Sequence, residues 1–112
     1  MKRLHRPDLW GWSQFDEGRN VDFNSVLWVN RNGNVAIDPL PQSPHDRQHL
    51  ASLGGVAIIV ITNSDHVRGA AELAEATGAR VLGPAGERDR MAIACHGYLA
   101  DGDEVSSGLV AL

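Results

Sequence analysis

The chain has 112 residues, 43% hydrophobic and 21% charged, enough for one compact core and too few for two. Its net charge of −4 and scattered basic residues argue against nucleic acid as a partner, and the single cysteine, Cys95, excludes an internal disulfide. No apolar run of signal-peptide length follows the basic start, and Val56 to Ile61 falls far short of the roughly 20 residues that span a bilayer, so a soluble protein without a membrane partner is expected, with its free thiol in a reducing cytoplasm.

Leu9-Trp10-Gly11-Trp12-Ser13 reads as a strand, because alternate residues share a face and both tryptophans then lie together. The polar segment Asp16 to Asn24 leads into a second strand, Ser25-Val26-Leu27-Trp28-Val29. Asn32-Gly33, within Asn30 to Asn34, suits the tight primed turns of hairpins. The returning strand, Val35-Ala36-Ile37, stops at Asp38-Pro39, where proline withholds a ladder donor.

Ser43-Pro44 has the form of a helix start, with serine to cap free amides and proline pre-set for the first turn. That helix runs to about Leu53, where Gly54-Gly55 release the chain. Val56 to Ile61 is apolar at every position, the pattern of a strand covered on both sides. After the loop Thr62 to His66, a helix carries Val67, Ala70, Ala71, Leu73, Ala74 and Ala76 and ends at Gly78. Ala79-Arg80-Val81-Leu82 follows as a strand, completing a strand-helix-strand unit expected to be parallel and right-handed. A short helix fits Pro84 to Met91, Ala92 to Ala100 is ambiguous, Asp101-Gly102-Asp103 is a turn, and Leu109 to Leu112 is an apolar end.

Binding groups in open α/β sheets gather where strand ends meet the following loops. Thr62 to His66 lies at such an end, and Asp65 with His66 sets a carboxylate beside an imidazole, both ordinary zinc or iron ligands. From spacing alone the favoured reading of so weak a motif is a helix start, with Ser64 or Asp65 as cap and His66 in the first turn. His45 and His49 are spaced to share a helix face, yet Asp46 stands where a zincin needs its glutamate, so two solvated histidines are expected there. Cys95-His96 does not read as a nucleophile pair, since neighbours in a strand point to opposite sides.

The order strand, Asp38-Pro39, helix, buried strand, Asp65-His66 loop, helix and Ala79-Arg80-Val81 resembles the N-terminal half of the metallo-β-lactamase superfamily. Set against that family's His-x-His-x-Asp-His signature, Ile61 and Asn63 occupy the places of the first two histidines. Thr62-Asn63-Ser64-Asp65-His66-Val67-Arg68 is similar to a diverged branch with a Thr-Asn-x-Asp-His-x-Arg loop, and Leu4 to Leu9 fits the same branch.

The resemblance implies an α/β fold, the N-terminal half of an αββα sandwich, formed by a single domain over residues 1–112 that is incomplete at its C-terminus. It implies a metal-dependent hydrolase-like protein whose first metal site is degenerate, because Ile61 offers no donor and Asn63 only an amide oxygen, so this chain alone is expected to be inactive. Asp65 and His66 are the metal ligands it carries over, for one divalent ion (zinc, iron or manganese) or none. Asp38 matches the strand-end aspartate that orients the metal loop in that family, or is simply a turn residue. Asn63 and Arg68 are the further candidates for supporting the site or touching a small-molecule substrate, Arg68 through an anionic group. The alternative is a non-catalytic binding or assembly module that keeps the scaffold. The apolar end suggests that an exposed sheet face finds a second copy of the chain or a missing C-terminal half.

Overall fold

The computed structural model describes residues 1–18, 21–106 and 109–110. Seven strands form one sheet in strict chain order: β1 (Lys2–Arg3), β2 (Leu9–Asp16), β3 (Val21–Trp28), β4 (Val35–Ile37), β5 (Ile58–Val60), β6 (Arg80–Pro84) and β7 (Gly97–Leu99). Strands β1 to β4 pair antiparallel, and β4 to β7 pair parallel. A separate two-stranded ribbon, β8 (Glu104–Ser106) with β9 (Leu109–Val110), covers part of the expected apolar end, whose residues 111 and 112 lie outside the described ones.

The helices follow their local chemistry. Ser43 Oγ accepts the Asp46 amide at 3.1 Å and Pro44 opens α1 (Pro44–Ser52), as the sequence suggests. The second helix, α2 (Ala70–Thr77), is built from the strong helix formers alanine, glutamate and leucine up to its last residue, Thr77, and Gly78 closes it at φ 73°.

Trp10, Leu27, Ala36, Ile59 and Val81 lie side by side across the sheet and therefore share a face. Leu50 of α1 and Ala70 and Leu73 of α2 join the same core as Leu27, Ala36, Ile59 and Val81, so both helices cover that face. The opposite row, Val26, Ile37, Val60 and Leu82, is half-buried except for Leu82. Full cover of Val56 to Ile61 is thus corrected: Ile59 and Ile61 are 0% and 1% exposed, while Ile58 and Val60 stay half-open.

Three further expectations shift. Most of the polar segment Asp16 to Asn24 belongs to the ladder, in which Leu9 to Asp16 face Trp28 to Val21 residue for residue. A two-stranded ribbon of this kind holds polar residues because its backbone pairing does not require burial on both faces. The β3–β4 hairpin forms, but Asn32-Gly33 does not make a two-residue turn. Its longer loop is organised by Asn34, whose Oδ1 accepts the Asn30 amide and whose Nδ2 donates to the carbonyls of Leu53 and Gly55. The helix expected from Val67 begins only at Ala70, because Arg68 adopts a left-handed φ of 46° and breaks the run.

The strand-helix-strand unit of β5, α2 and β6 is parallel, as expected. Residues 85–90 form short 3-10 turns, and β7 falls inside the ambiguous stretch. No helix among the described residues is long and apolar enough to cross a membrane.

Candidate functional site

The parallel strands end in one row, and the loops that follow β4 and β5 meet there. Asp38 leaves β4 at φ 48°, and its amide still donates to Val60 O, so it stands at the edge of the ladder with its side chain beside the next loop. In that loop Asn63 caps a 3-10 turn over Ser64–His66, its Oδ1 accepting the Asp65 amide at 2.9 Å. The turn brings His66 back toward Thr62 and Asp38.

The result is a network centred on one carboxylate. Asp38 Oδ1 accepts the Thr62 amide at 2.7 Å, and Asp38 Oδ2 accepts the Thr62 hydroxyl. His66 Nδ1 stands 3.0 Å from the same Oδ2. A carboxylate only accepts, so Nδ1 carries the hydrogen and Nε2 of the neutral ring keeps its lone pair. With its amide oxygen committed to Asp65, Asn63 points Nδ2 at the ring, and with the hydrogen on Nδ1 only Nε2, 3.4 Å away, can accept from it. The Asp38 side chain is 12% exposed and that of His66 34%, so the carboxylate is sheltered while the imidazole reaches solvent.

Two struts hold Asp38 in place. The Ser25 hydroxyl, 2% exposed, donates to Asp38 O at 2.7 Å and accepts the Leu40 amide at 2.8 Å. Arg68 Nη1 donates to Asp38 O at 2.9 Å and to Asn24 O at 2.8 Å, while its guanidinium rests over the Phe23 ring. Asp38 and Arg68 are the non-glycine residues with positive φ among those described. Such backbone costs about 1–2 kcal/mol at each position and persists where surrounding contacts over-determine it. Both residues belong to this one network, and one is bonded to the other.

Gly69 completes the approach. A Cβ there would come within 2.7 Å of Pro41 N and 2.9 Å of Leu40 C, so only glycine lets the segment before α2 lie against the chain after β4. On the far side of the loop, Glu87 reaches back from the turns after β6. Its carboxylate accepts the Ser64 amide at 3.1 Å and the Ser64 hydroxyl at 3.0 Å.

The structure therefore gathers Asp38, Asn63 and His66 and ties Arg68 to them through the backbone. Asp65 is exposed, and its carboxylate takes no part in the network. Thr62, Ser25 and Glu87 were not singled out from the sequence. Thr62 sat in the flagged loop and was open to notice, whereas Glu87 lies 23 positions from Ser64 with no local signal. The remaining histidines lie elsewhere: His49 meets Trp10 edge-on at 4.8 Å, and His96 Nδ1 accepts the Val81 amide at 2.9 Å. Cys95 directs its sulfur to Ile93 O, away from any imidazole partnership, and burial raises its thiol pKa.

As metal donors the set is short. Ile61 is 1% exposed in the apolar core, Asn63 has committed its amide oxygen, and Asp38 already accepts three contacts within the loop network. Among the described residues no group of three or more His, Cys, Asp or Glu side chains converges to hold a metal ion. Asp65 and His66 leave two donors where catalytic zinc normally keeps three from the protein, so these residues alone do not fit a catalytic metal centre.

A half-sandwich sheet with helices on one face and an Asp-His loop at its strand ends defines a metallo-β-lactamase-like domain. The family model described as the metallo-beta-lactamase superfamily matches residues 1–112. The chain belongs to that superfamily, in a partial form of its mixed α/β fold. A comparison with curated proteins gives no match.

Proposed function

We propose that this chain is a hydrolase-like member of its superfamily with a degenerate first metal site. The observation that supports this most is the Asp38–His66 contact, which fixes the tautomer of the neutral ring with Nε2 as its acceptor, on a side chain that is 34% exposed. An imidazole so held is suited to accept a proton from water or substrate, or to ligate a cation through Nε2. Asp65 and His66 together would hold at most one divalent ion, zinc, iron or manganese, with its other positions filled by water or by groups outside this set. Asn63 buttresses the ring, and Arg68 acts through the Asp38 carbonyl rather than as an anion receptor. A small-molecule substrate and a cytoplasmic setting, suggested by the free thiol, complete the reading.

The two-donor limit favours a second reading, a non-catalytic binding or assembly module, and the half-open sheet face supports a partner, either a second copy or a C-terminal half. Titration with zinc(II), iron(II) and manganese(II), followed by equilibrium dialysis and His66 imidazole NMR, separates them. The hydrolase-like reading expects one weak site per chain, seen at His66 and lost in His66→Ala and Asp65→Ala. Asp38→Asn should weaken it about 10- to 100-fold. A His66 spectrum indifferent to all three metals would leave the non-catalytic reading standing.

A further inference from the structure

A cavity of about 210 Å³ opens at the same end of the sheet, between the ends of β4 to β7 and the β8–β9 ribbon. Its lining includes Ile37, Val60 and Leu99 of the sheet, Val105 and Leu109 of the ribbon, and Thr62, whose hydroxyl lies 3.2 Å from His66 Nδ1. The lining is mainly apolar and the mouth is open to solvent. Among the described lining residues the only ionisable one is Asp101, exposed at the rim, with Asp103 and Glu104 next along the chain. No lysine, arginine or histidine is among those lining residues. The guanidinium of Arg68 donates to backbone carbonyls, and that of Arg88 stacks over the ring of Tyr98, the neighbour of Leu99 in β7.

We propose that this cavity binds a small organic molecule with an apolar body and a cationic head, the body between sheet and ribbon and the head at Asp101. Apolar walls reward transfer of hydrocarbon out of water, and a few polar groups at the mouth select orientation. Scaled from an engineered cavity of ~150 Å³ that takes up benzene, the body has about six to eight carbons. A carboxylate or phosphate head would meet Asp101 with no cationic side chain among the described lining residues to receive it. The ligand end nearest Thr62 lies beside the Asp38–His66 pair, which makes the cavity a candidate substrate pocket for the function proposed above, although His66 and Asp65 form no part of its walls.

The test is methyl NMR of the full chain with n-hexylamine, 1-hexanol and hexanoate as probes. Hexylamine should shift the methyls of Ile37, Val60 and Leu99 and leave Leu50 and Leu73, across the sheet, unmoved. It should bind about threefold or more tighter than hexanoate, and Asp101→Asn should erase that preference while the methyl shifts persist. Val105→Trp, which fills the space, and Ala100→Leu, a milder change at the mouth, should each weaken binding at least fivefold. Hexanoate binding as well as hexylamine, shifts spread equally to Leu50 and Leu73, or no response to any probe at millimolar concentration would overturn the proposal. So would methyl shifts that track protein concentration and a doubling of mass, since a second copy would then fill the space. His66→Ala should keep the shifts, so failure of the cavity and failure of the imidazole reading are told apart.

Discussion

The two faces of the seven-stranded sheet carry similar aliphatic residues and meet different surroundings. On one, Leu27, Ala36 and Ile59 are fully buried beneath α1 and α2. On the other, Val26, Ile37, Ile58 and Val60 keep partial access to solvent, and the cavity opens at their end. Neighbouring residues of one strand, such as Ile58 and Ile59, thus experience a surface and a core within a single peptide step. Hydrophobic sequence tells which segments become strands, while helix placement decides which side is sealed.

Truncation should separate the faces most sharply. Ile59→Ala and Leu27→Ala should each cost about 2–5 kcal/mol in urea unfolding, and Ile58→Ala about 1–2, because the cavity left behind collapses or floods more easily at a half-open position. Equal losses at Ile58 and Ile59 would erase the distinction. Next in size is Gly69→Ala, where displaced backbone near Pro41 should lower stability by about 1–3 kcal/mol, read from the same curves. Its effect should reach the open end as well, seen as shifted His66 resonances, since Gly69 adjoins Arg68.

Asp38→Ala should follow, at about 1–3 kcal/mol, by stripping the Thr62 amide and His66 Nδ1 of their acceptor. The ¹⁵N shifts of His66 should then show both neutral tautomers in place of one. A smaller effect belongs to Asp46, which the α-amino group of Met1, 2.7 Å away, holds below the usual carboxylate range. A depressed folded pKa contributes stability above the unfolded value and loses it as pH falls through the folded one. Asp46→Asn should therefore flatten the acid limb of the stability profile below about pH 4, by no more than about 1 kcal/mol. Smallest is Cys95, whose burial should make its alkylation at pH 8 roughly severalfold slower than in the urea-unfolded chain.

Local chemistry made much of this legible. Ser43-Pro44, Gly78, the tryptophan pair and the apolar strand each announce themselves within a few residues, and they appear where expected. The loop Thr62 to His66 was marked by its place after that strand. Long-range geometry was hidden: nothing near residue 68 signals that its backbone turns left-handed to let its guanidinium meet the carbonyl of Asp38. The Asn32-Gly33 pair misled for a related reason, because the loop is organised instead by Asn34, whose side chain bridges the distant carbonyls of Leu53 and Gly55. The polar composition of Asp16 to Asn24 likewise concealed a paired ribbon, since composition reports burial and not backbone hydrogen bonding.

Strands β1 through β7 lie beside one another in the order in which they are made. Each newly synthesised strand accordingly finds its neighbour already in place as the chain emerges, so the sheet can grow by addition at a single edge without threading or rearrangement. Assembly of this kind would proceed stepwise during translation, with the segment that carries His66 acquiring its partner from an edge laid down earlier.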